Sequence, residues 1–256
     1  MSARITLLTD FGTRDGYVAA MKGVIVTLAP TAIIDDATHD IAPGEILTGA
    51  YVLARYFRLY PPGSIHVAVV DPGVGTDRRA LAASIDDRLI VAPDNGLISE
   101  IVKDSRSTRL VEITHPDIVR PDRSSTFHGR DVFAPAAARL ATGLQLDDLG
   151  PALDDPVLLQ SPPVSIHADR TVGEVIAVDR FGNLITNIPG DLLSSEAKVS
   201  FRNGFVAPLR HTFAAVNPGE LVAVIGSDGF LEIAVRDGSA AEYTKAWRGI
   251  PITVTR

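Results

Sequence analysis

The stretch that most constrains the fold is an apolar run that ends in a carboxylate. Residues 67–70 are apolar and mostly β-branched, which predicts a strand buried on both faces. Asp71 follows at once, and Pro72 and Gly73 come next. Proline fixes φ and glycine permits conformations closed to other residues, so the loop can fold back and bring Arg78 close to Asp71. A tight turn with a surface ion pair is an equally good interpretation of this pattern taken alone.

Composition limits the class of protein. The chain has 256 residues, of which 46% are hydrophobic and 21% charged, as expected of one large or two modest globular domains. Its net charge of -7 argues against nucleic-acid binding, because phosphate neutralisation requires a basic surface. The lack of cysteine excludes disulfides, thiolate catalysis and thiolate metal ligands. No apolar run approaches membrane-spanning length and Asp10 interrupts the first one, so we expect a soluble cytoplasmic protein without a membrane partner.

Strand-like and helix-like segments alternate along the first part of the chain. The predicted strands are residues 5–8, 32–34, 67–70, 80–85, 89–92 and 110–113, and the predicted helices are residues 17–28, 45–60, 97–102 and 132–140. Residues 35–40 are polar and are assigned to the connection after the short second strand. This order predicts an α/β domain with a mostly parallel central sheet covered on both faces.

The second part of the chain carries shorter strand-like runs. Residues 149–163 are rich in proline and aspartate and predict an inter-domain linker. Beyond it, the predicted strands are residues 171–178, 184–186, 198–201, 221–225, 231–235 and 250–254, with no helix among them. The expected domains are therefore 1–163, an α/β domain with the linker at its end, and 164–256, a smaller all-β, barrel-like domain.

Polar residues gather in loops at strand ends, where open α/β sheets bind ligands. Asp10 and Asp15 lie in the first such loop, although capping of the next helix also explains them. His128 stands where a helix begins, so it either faces a cleft or caps that helix. His39 lies among carboxylates, but no second histidine has ligand spacing, and we expect no metal site.

Five motifs, in their order along nearly the whole chain, resemble the S-adenosyl-L-methionine (SAM) hydroxide adenosyltransferase family. These adenosine-forming SAM hydrolases have the fluorinase and chlorinase as relatives. The motifs are residues 9–12 (TDFG), 70–75 (VDPGVG) with Arg78, 92–96 (APDNG), 126–131 (TFHGRD) and 179–187 (DRFGNLITN). The resemblance implies an N-terminal α/β domain, a C-terminal β-barrel and hydrolysis of SAM to adenosine and L-methionine without a metal or cofactor. It also implies a homotrimer that holds its ligand between one subunit's N-terminal domain and a neighbour's C-terminal domain.

The resemblance further assigns site residues. The catalytic set falls on Asp71, Arg78 and His128, where Arg78 is preferred to Arg79 by its spacing from Asp71. Substrate binding is assigned to Asp10 and Asp71 at the ribose, Asp15, Asp179 and Ser227 at the methionine end, Asn183 and Phe213 at the adenine, and Glu232 and Val235 on the same rim. From the residues alone, the default interpretation of Asn183 is that it closes an Asx turn.

The chemistry of the three catalytic candidates fits this assignment. The leaving group of the reaction is methionine, which departs from the sulfonium as a neutral thioether and needs no assistance. The difficult part of the hydrolysis is therefore to orient water, a weak nucleophile, in line with the C–S bond. A carboxylate, an imidazole and a guanidinium around one water can do this. One alternative is a non-catalytic sensor of SAM or adenosine. Another, a SAM-dependent halogenase, is disfavoured: halogenases of this family carry an aromatic residue in place of Asp71 and a halide-binding serine after the position of His128, where this chain has Gly129.

Overall fold

The computed structural model describes residues 2–194 and 197–255. The chain divides into two compact units, the first ending at Gln160 and the second beginning at Ser161. In the described ranges no helix combines the length and the apolar character needed to cross a membrane.

The first unit is a mixed sheet with helices. Its strands are β1 (Arg4–Thr9), β2 (Ile33–Thr38), β3 (Ile65–Val69), β4 (Ala80–Ile85), β5 (Arg88–Pro93) and β6 (Thr108–Glu112). Its helices are α1 (Tyr17–Leu28), α2 (Ile46–Phe57), α3 (Ser99–Lys103) and α4 (Ala134–Ala141). The strand order is β2-β1-β3-β5-β4-β6, in which β2, β1, β3 and β5 are parallel and β4 runs antiparallel to both neighbours. The predicted α/β domain with a mostly parallel sheet is confirmed.

Strand β3 lies at the centre of this unit and is buried on both faces. Val67 and Val69 pack in the apolar cluster that includes residues of α1 and α4. Ala68 and Val70 pack in the opposite cluster, with residues of α2 and α3. Because successive side chains of a strand point to opposite faces, this division accounts for the uninterrupted apolar run in the sequence. The loop after Val70 therefore follows a strand that is packed on both faces.

The predicted end of the second strand was wrong. We expected it to stop at Ile34, but β2 continues to Thr38 and includes Asp35 and Asp36. An edge strand keeps one side open to solvent, so it tolerates charged residues when they find partners. Arg4 donates to Asp35 over 2.5 Å, and Lys22 donates to Asp36 over 2.6 Å.

The second unit is an antiparallel sheet rolled into a barrel-like form. Its strands are β7 (Ser165–Ile166), β8 (Arg170–Val178), β9 (Leu184–Pro189), β10 (Lys198–Phe201), β11 (Phe205–Pro208), β12 (Leu221–Ile225), β13 (Phe230–Val235) and β14 (Pro251–Thr255). The order is β11-β10-β14-β8-β9-β13-β12, with β7 paired to β8. A bridge between Leu209 and Ala223 brings the two ends of the sheet together. The predicted all-β, barrel-like domain is confirmed.

The second unit contains short elements that were not predicted. We expected no helix, but α5 (Ala240–Thr244) forms one short turn, and the Ser239 side chain caps it by accepting from the backbone N–H of Glu242 over 3.1 Å. Strand β11 was not predicted either. It has only four residues and ends in a proline, so its periodicity is too short to recognise.

Candidate active site

The loop after β3 folds back on itself through two successive turns. The N–H of Val74 donates to the carbonyl of Asp71, and the N–H of Thr76 donates to that of Gly73, each over 3.2 Å. The hydroxyl of Thr76 also donates to the Gly73 carbonyl over 2.7 Å. This local folding brings the side chain of Arg78 back to the residue that ends the strand.

Arg78 and Asp71 form a buried ion pair. Nε of Arg78 donates to both carboxylate oxygens of Asp71 at 2.9 and 3.0 Å, and Nη2 donates to Oδ2 at 2.5 Å. The side chains are 10% and 5% exposed, respectively. A bidentate pair of this kind fixes the planes of both groups. The surface ion pair considered from the sequence is therefore excluded.

His128 joins the pair through the same guanidinium nitrogen. Nη2 of Arg78 lies 2.7 Å from Nδ1 of His128. A guanidinium only donates, so Nδ1 must accept, and the neutral imidazole carries its proton on Nε2. Burial lowers the pKa of His128, and the positive charges of Arg78 and Arg123 lower it further. The cluster thus consists of one carboxylate, one guanidinium and one neutral imidazole.

The segment that carries His128 is held by a buried carboxylate. Gly129–Phe133 forms one turn of π-helix before α4, and such turns are frequent at functional sites. Asp131 is fully buried and accepts hydrogen bonds from Arg130 and from the backbone N–H of Ser124. Burial alone raises the pKa of the Asp131 carboxyl, but the hydrogen bonds from Arg130 and Ser124 outweigh it and hold the pKa below its ordinary value.

Two glycines allow the loops of the site to approach one another. Gly75 has a φ of +81°, and a Cβ there would lie 2.5 Å from the carbonyl oxygen of Ser125. A Cβ on Gly129 would lie 3.0 Å from a ring carbon of Phe11 and 3.2 Å from the sulfur of Met21. Gly75 therefore requires glycine for the observed packing, and a larger residue at position 129 would force Phe11 or Met21 to shift slightly.

A cavity of about 340 Å³ opens beside the cluster. Its lining comprises Phe11, Tyr17, Val69, Asp71, Val74, Ser124, Thr126, Phe127, His128, Gly129 and Arg130. The rings of Phe11, Tyr17 and Phe127 contact one another, with centroids 5.2 to 6.0 Å apart. We refer to these three rings as the aromatic wall. Sequence reasoning missed it, although Phe11 and Phe127 each adjoin a predicted site residue.

Asp10 and Asp15 lie in the loop between β1 and α1. Oδ2 of Asp10 accepts the backbone N–H of Gly44 over 2.8 Å. Asp15 is exposed and lies 3.9 Å from Nε of Arg14. Neither carboxylate caps α1, because that helix begins after Gly16 without a side-chain cap. The capping interpretation was wrong for both.

His39 is hydrogen-bonded at both ring nitrogens. Nδ1 lies 2.8 Å from the hydroxyl of Thr9, and Nε2 lies 3.0 Å from Oδ1 of Asp36. His39 therefore connects the end of β1 to β2. In the part of the chain that the structure describes, no three acidic or histidine side chains are grouped so as to hold a metal ion.

The candidates of the second unit lie in its turns and along β13. Asp179 accepts the backbone N–H and the side-chain amide of Asn183 at 2.8 and 2.9 Å, so the structure joins these two in one turn. Ser227 is exposed in the turn between β12 and β13. Glu232 is buried, and its carboxylate lies against Gly226 at the start of that turn.

Phe213 and Val235 occupy different environments. Phe213 is 43% exposed in a short 3-10 turn. Val235 is buried in the apolar core of the second unit. The neighbouring Arg236 donates to the carbonyl of Val216 over 2.7 Å, which fixes the Phe213 turn near the end of β13.

Comparison with known sequences gives matches across both units. The SAM hydroxide adenosyltransferase N-terminal domain matches residues 5–150, and the corresponding C-terminal domain matches residues 173–253. A protein of Salinispora tropica named (R)-S-adenosyl-L-methionine hydrolase is 43% identical over 254 residues, which cover 98% of this chain and 97% of that protein. A fluorinase of Actinopolyspora mzabensis is 28% identical over 291 residues, covering 98% of this chain and 97% of its own.

Comparison with solved structures gives the same architecture. An uncharacterized conserved protein from Thermotoga maritima has a TM-score of 0.93 and 36% identity, with 98% of this chain and 100% of that chain covered. Fold and site together define a two-unit protein whose α/β unit carries an arginine-centred cluster at the carboxyl edge of its sheet. The chain belongs to the SAM hydroxide adenosyltransferase family.

Proposed function

We propose that this protein hydrolyses S-adenosyl-L-methionine to adenosine and L-methionine. The observation that carries the proposal is the Arg78 guanidinium, which holds Asp71 and His128 together at the wall of a cavity. Membership of the family and the name of the Salinispora tropica relative support the substrate. Binding alone does not require a buried charged cluster of this kind, because neutral hydrogen bonds recognise an adenosine at lower desolvation cost.

The proposed reaction is a single displacement at the ribose C5′. The oxygen of a water molecule forms a bond to C5′ while the C5′–S bond breaks, and the electron pair of that bond stays on sulfur. The sulfonium becomes the neutral thioether of methionine, and the attacking water becomes the 5′-hydroxyl of adenosine after losing one proton. Since the leaving group needs no protonation, catalysis consists of orienting the water and stabilising the positive charge that develops on its oxygen.

We assign a separate role to each of the three residues from the hydrogen bonds between them. Because Nδ1 of His128 accepts from Arg78, the ring has its free donor at Nε2–H. His128 is therefore assigned to orient the oxygen of the attacking water, and in this tautomer it does not take up the proton that the water loses. Asp71 is the anion of the cluster and is assigned the proton that the water loses. Arg78 holds both in place, and its charge adds to the effect of burial in lowering the pKa of His128.

The remaining candidates are proposed to hold the substrate. Asp10 and Asp71 are assigned to the ribose hydroxyls, for which carboxylates are good acceptors. The methionine end is assigned to Asp15, Asp179 and Ser227, the adenine to Asn183 and Phe213, and the rim of the site to Glu232 and Val235. We add the aromatic wall, whose ring faces suit the sulfonium cation.

We also propose a homotrimer in which the N-terminal domain of one subunit and the C-terminal domain of its neighbour share a site. The distribution of the candidates supports it, since the catalytic cluster belongs to the first unit and the adenine candidates to the second. Closed rings of this kind use heterologous interfaces.

The test is product analysis after incubation with SAM in ¹⁸O-labelled water, with and without chloride. We expect methionine and adenosine that carries ¹⁸O at its 5′-hydroxyl, with the same products in both buffers. A 5′-chloro nucleoside formed only with chloride would assign the protein to halogenation. Unchanged SAM that raises the melting temperature of the protein would instead support a binding module and refute the hydrolase.

A further inference from the structure

The motif of residues 92–96, at the end of β5, is the one family motif to which the proposed function gives no role. Asp94 is almost completely buried, with its side chain 1% exposed. Its neighbour Asn95 points toward the start of the catalytic loop. Together these two side chains contact both ends of the loop that carries Asp71 and Arg78.

Asn95 holds the beginning of that loop. Its side-chain amide donates to the carbonyl oxygen of Val70 over 2.8 Å. Val70 is the residue immediately before Asp71, so the bond fixes the peptide that leads into the catalytic carboxylate. The amide oxygen of Asn95 accepts the backbone N–H of Leu97 at 3.3 Å, which orients the side chain within its own turn.

Asp94 holds the end of the loop. Its Oδ2 accepts Nε of Arg79 over 2.8 Å, and its backbone N–H donates to the carbonyl of Arg79 over 2.9 Å. Nη1 of Arg78 donates to that same carbonyl over 3.3 Å. Oδ1 of Asp94 accepts the backbone N–H of Val157, so the carboxylate is satisfied at both oxygens.

We propose that Asp94 and Asn95 are positioning residues that clamp the two ends of the 71–78 loop and so keep Arg78 in reach of both Asp71 and His128. The inference rests on the proposed function for its effect on turnover. One guanidinium nitrogen serves two partners at 2.5 and 2.7 Å, so a small displacement of either loop end breaks one of these contacts. Misplacement of catalytic groups by about 1 Å costs roughly 100-fold in rate.

The experiment compares two clamp variants with a matched control. Asp94→Asn keeps the shape but removes the charge that faces Arg79, and Asn95→Ala removes the bond to Val70. The control is Asp155→Asn, which removes the charge of the other, exposed partner of Arg79 and leaves the clamp intact. We expect each clamp variant to lower kcat by roughly 10- to 100-fold with KM changed less than about threefold, and the control to keep kcat within about twofold.

A second readout separates positioning from loss of fold and does not depend on turnover. In ¹⁵N NMR spectra recorded without substrate, Nδ1 of His128 should have the shift of an acceptor nitrogen, and both clamp variants should move it. Circular dichroism shows whether each variant is folded; if Asp94→Asn is not, Asn95→Ala alone carries the test. Folded clamp variants with unchanged kcat and unchanged His128 signals would overturn the clamp. A wild-type protein that leaves SAM intact would refute the proposed function, while the His128 signals would still test the clamp.

Discussion

The Nη2 nitrogen of Arg78 lies 2.7 Å from Nδ1 of His128, and it is the same nitrogen that donates to Asp71. This contact fixes the tautomer of the imidazole and its protonation state together. His128 is therefore a hydrogen-bond donor at Nε2, which the spacing of residues in the sequence does not reveal.

Replacement of Arg78 by lysine should break the cluster while keeping its charge. A lysine ammonium lacks the planar fork that reaches both oxygens of Asp71 and the ring of His128 at once. We expect kcat to fall by about 100-fold or more in Arg78→Lys, as measured in steady-state assays of adenosine release. The same change at Arg109, whose side chain is 63% exposed, should leave kcat unaltered. Similar losses in both variants would contradict this role of Arg78.

The decrease of kcat/KM at acidic pH should follow the protonation of His128. Burial and the charges of Arg78 and Arg123 lower its pKa, so the neutral, active form persists below the ordinary value of about 6.5. Removing the charge of Arg123 favours the imidazolium and raises this pKa, so the acid limb of kcat/KM should move to higher pH in Arg123→Gln. Arg109→Gln serves as the control. If the acid limb of kcat/KM stays in place or moves to lower pH in Arg123→Gln, the assignment of that limb to His128 is refuted.

A serine at position 129 should not convert the protein to a halogenase. The added Cβ would lie 3.0 Å from the ring of Phe11 and 3.2 Å from the sulfur of Met21, so the aromatic wall would have to shift. Overpacking of this kind costs about 1–2 kcal/mol in the free energy of unfolding. We expect Gly129→Ser to melt at lower temperature, to hydrolyse SAM more slowly and to form no 5′-chloro nucleoside in chloride. Detection of that product by mass spectrometry would contradict the prediction.

Mixing two inactive variants should restore activity if subunits share the site. His128→Ala inactivates the cluster of the first unit, and Asn183→Ala removes the proposed adenine contact of the second. In randomly mixed trimers, about a quarter of the sites would combine an intact N-terminal domain from one subunit with an intact C-terminal domain from its neighbour. Activity after co-expression should therefore recover to that fraction, with light scattering to verify the trimer. No recovery in verified mixed trimers would show that each subunit builds its own site.

The stability of the first unit should fall at acidic pH because of His66. Burial lowers the pKa of His66 to about 4, and its Nδ1 lies 2.8 Å from the hydroxyl of Thr6. In the unfolded chain His66 is protonated below about pH 6.5, whereas in the folded chain it stays neutral down to about pH 4. Its contribution to the free energy of unfolding is therefore fully present above pH 6.5 and is lost as the pH falls toward 4. The loss amounts to about 3 kcal/mol in the free energy of unfolding.

Urea unfolding at several pH values tests this linkage. His66→Gln should flatten the dependence between pH 6.5 and 4, whereas substitution of the exposed His211 should not. An unchanged slope in His66→Gln would assign the acid sensitivity to other groups.

Helices and strands with clear periodicity were predicted closely. The bounds of α1 and β4 agree with those expected, because apolar spacing and nearby glycine and proline residues define them locally. The second strand was predicted too short, since the partners that make Asp35 and Asp36 acceptable are distant in sequence.

The sequence by itself determined the fold class and the candidate residues, because hydrophobic periodicity and motif order are properties of the chain read locally. Spacing in the sequence favoured Arg78 over Arg79, but only the tertiary structure decided that Arg78 contacts both Asp71 and His128, while Arg79 turns to Asp94 and Asp155. It also decided that His128 accepts at Nδ1 and that three rings form the aromatic wall. These features depend on side-chain directions and, for His128 and the aromatic wall, on contacts between residues far apart in sequence. The packing of the sheet and helices fixes both, and no local pattern encodes them.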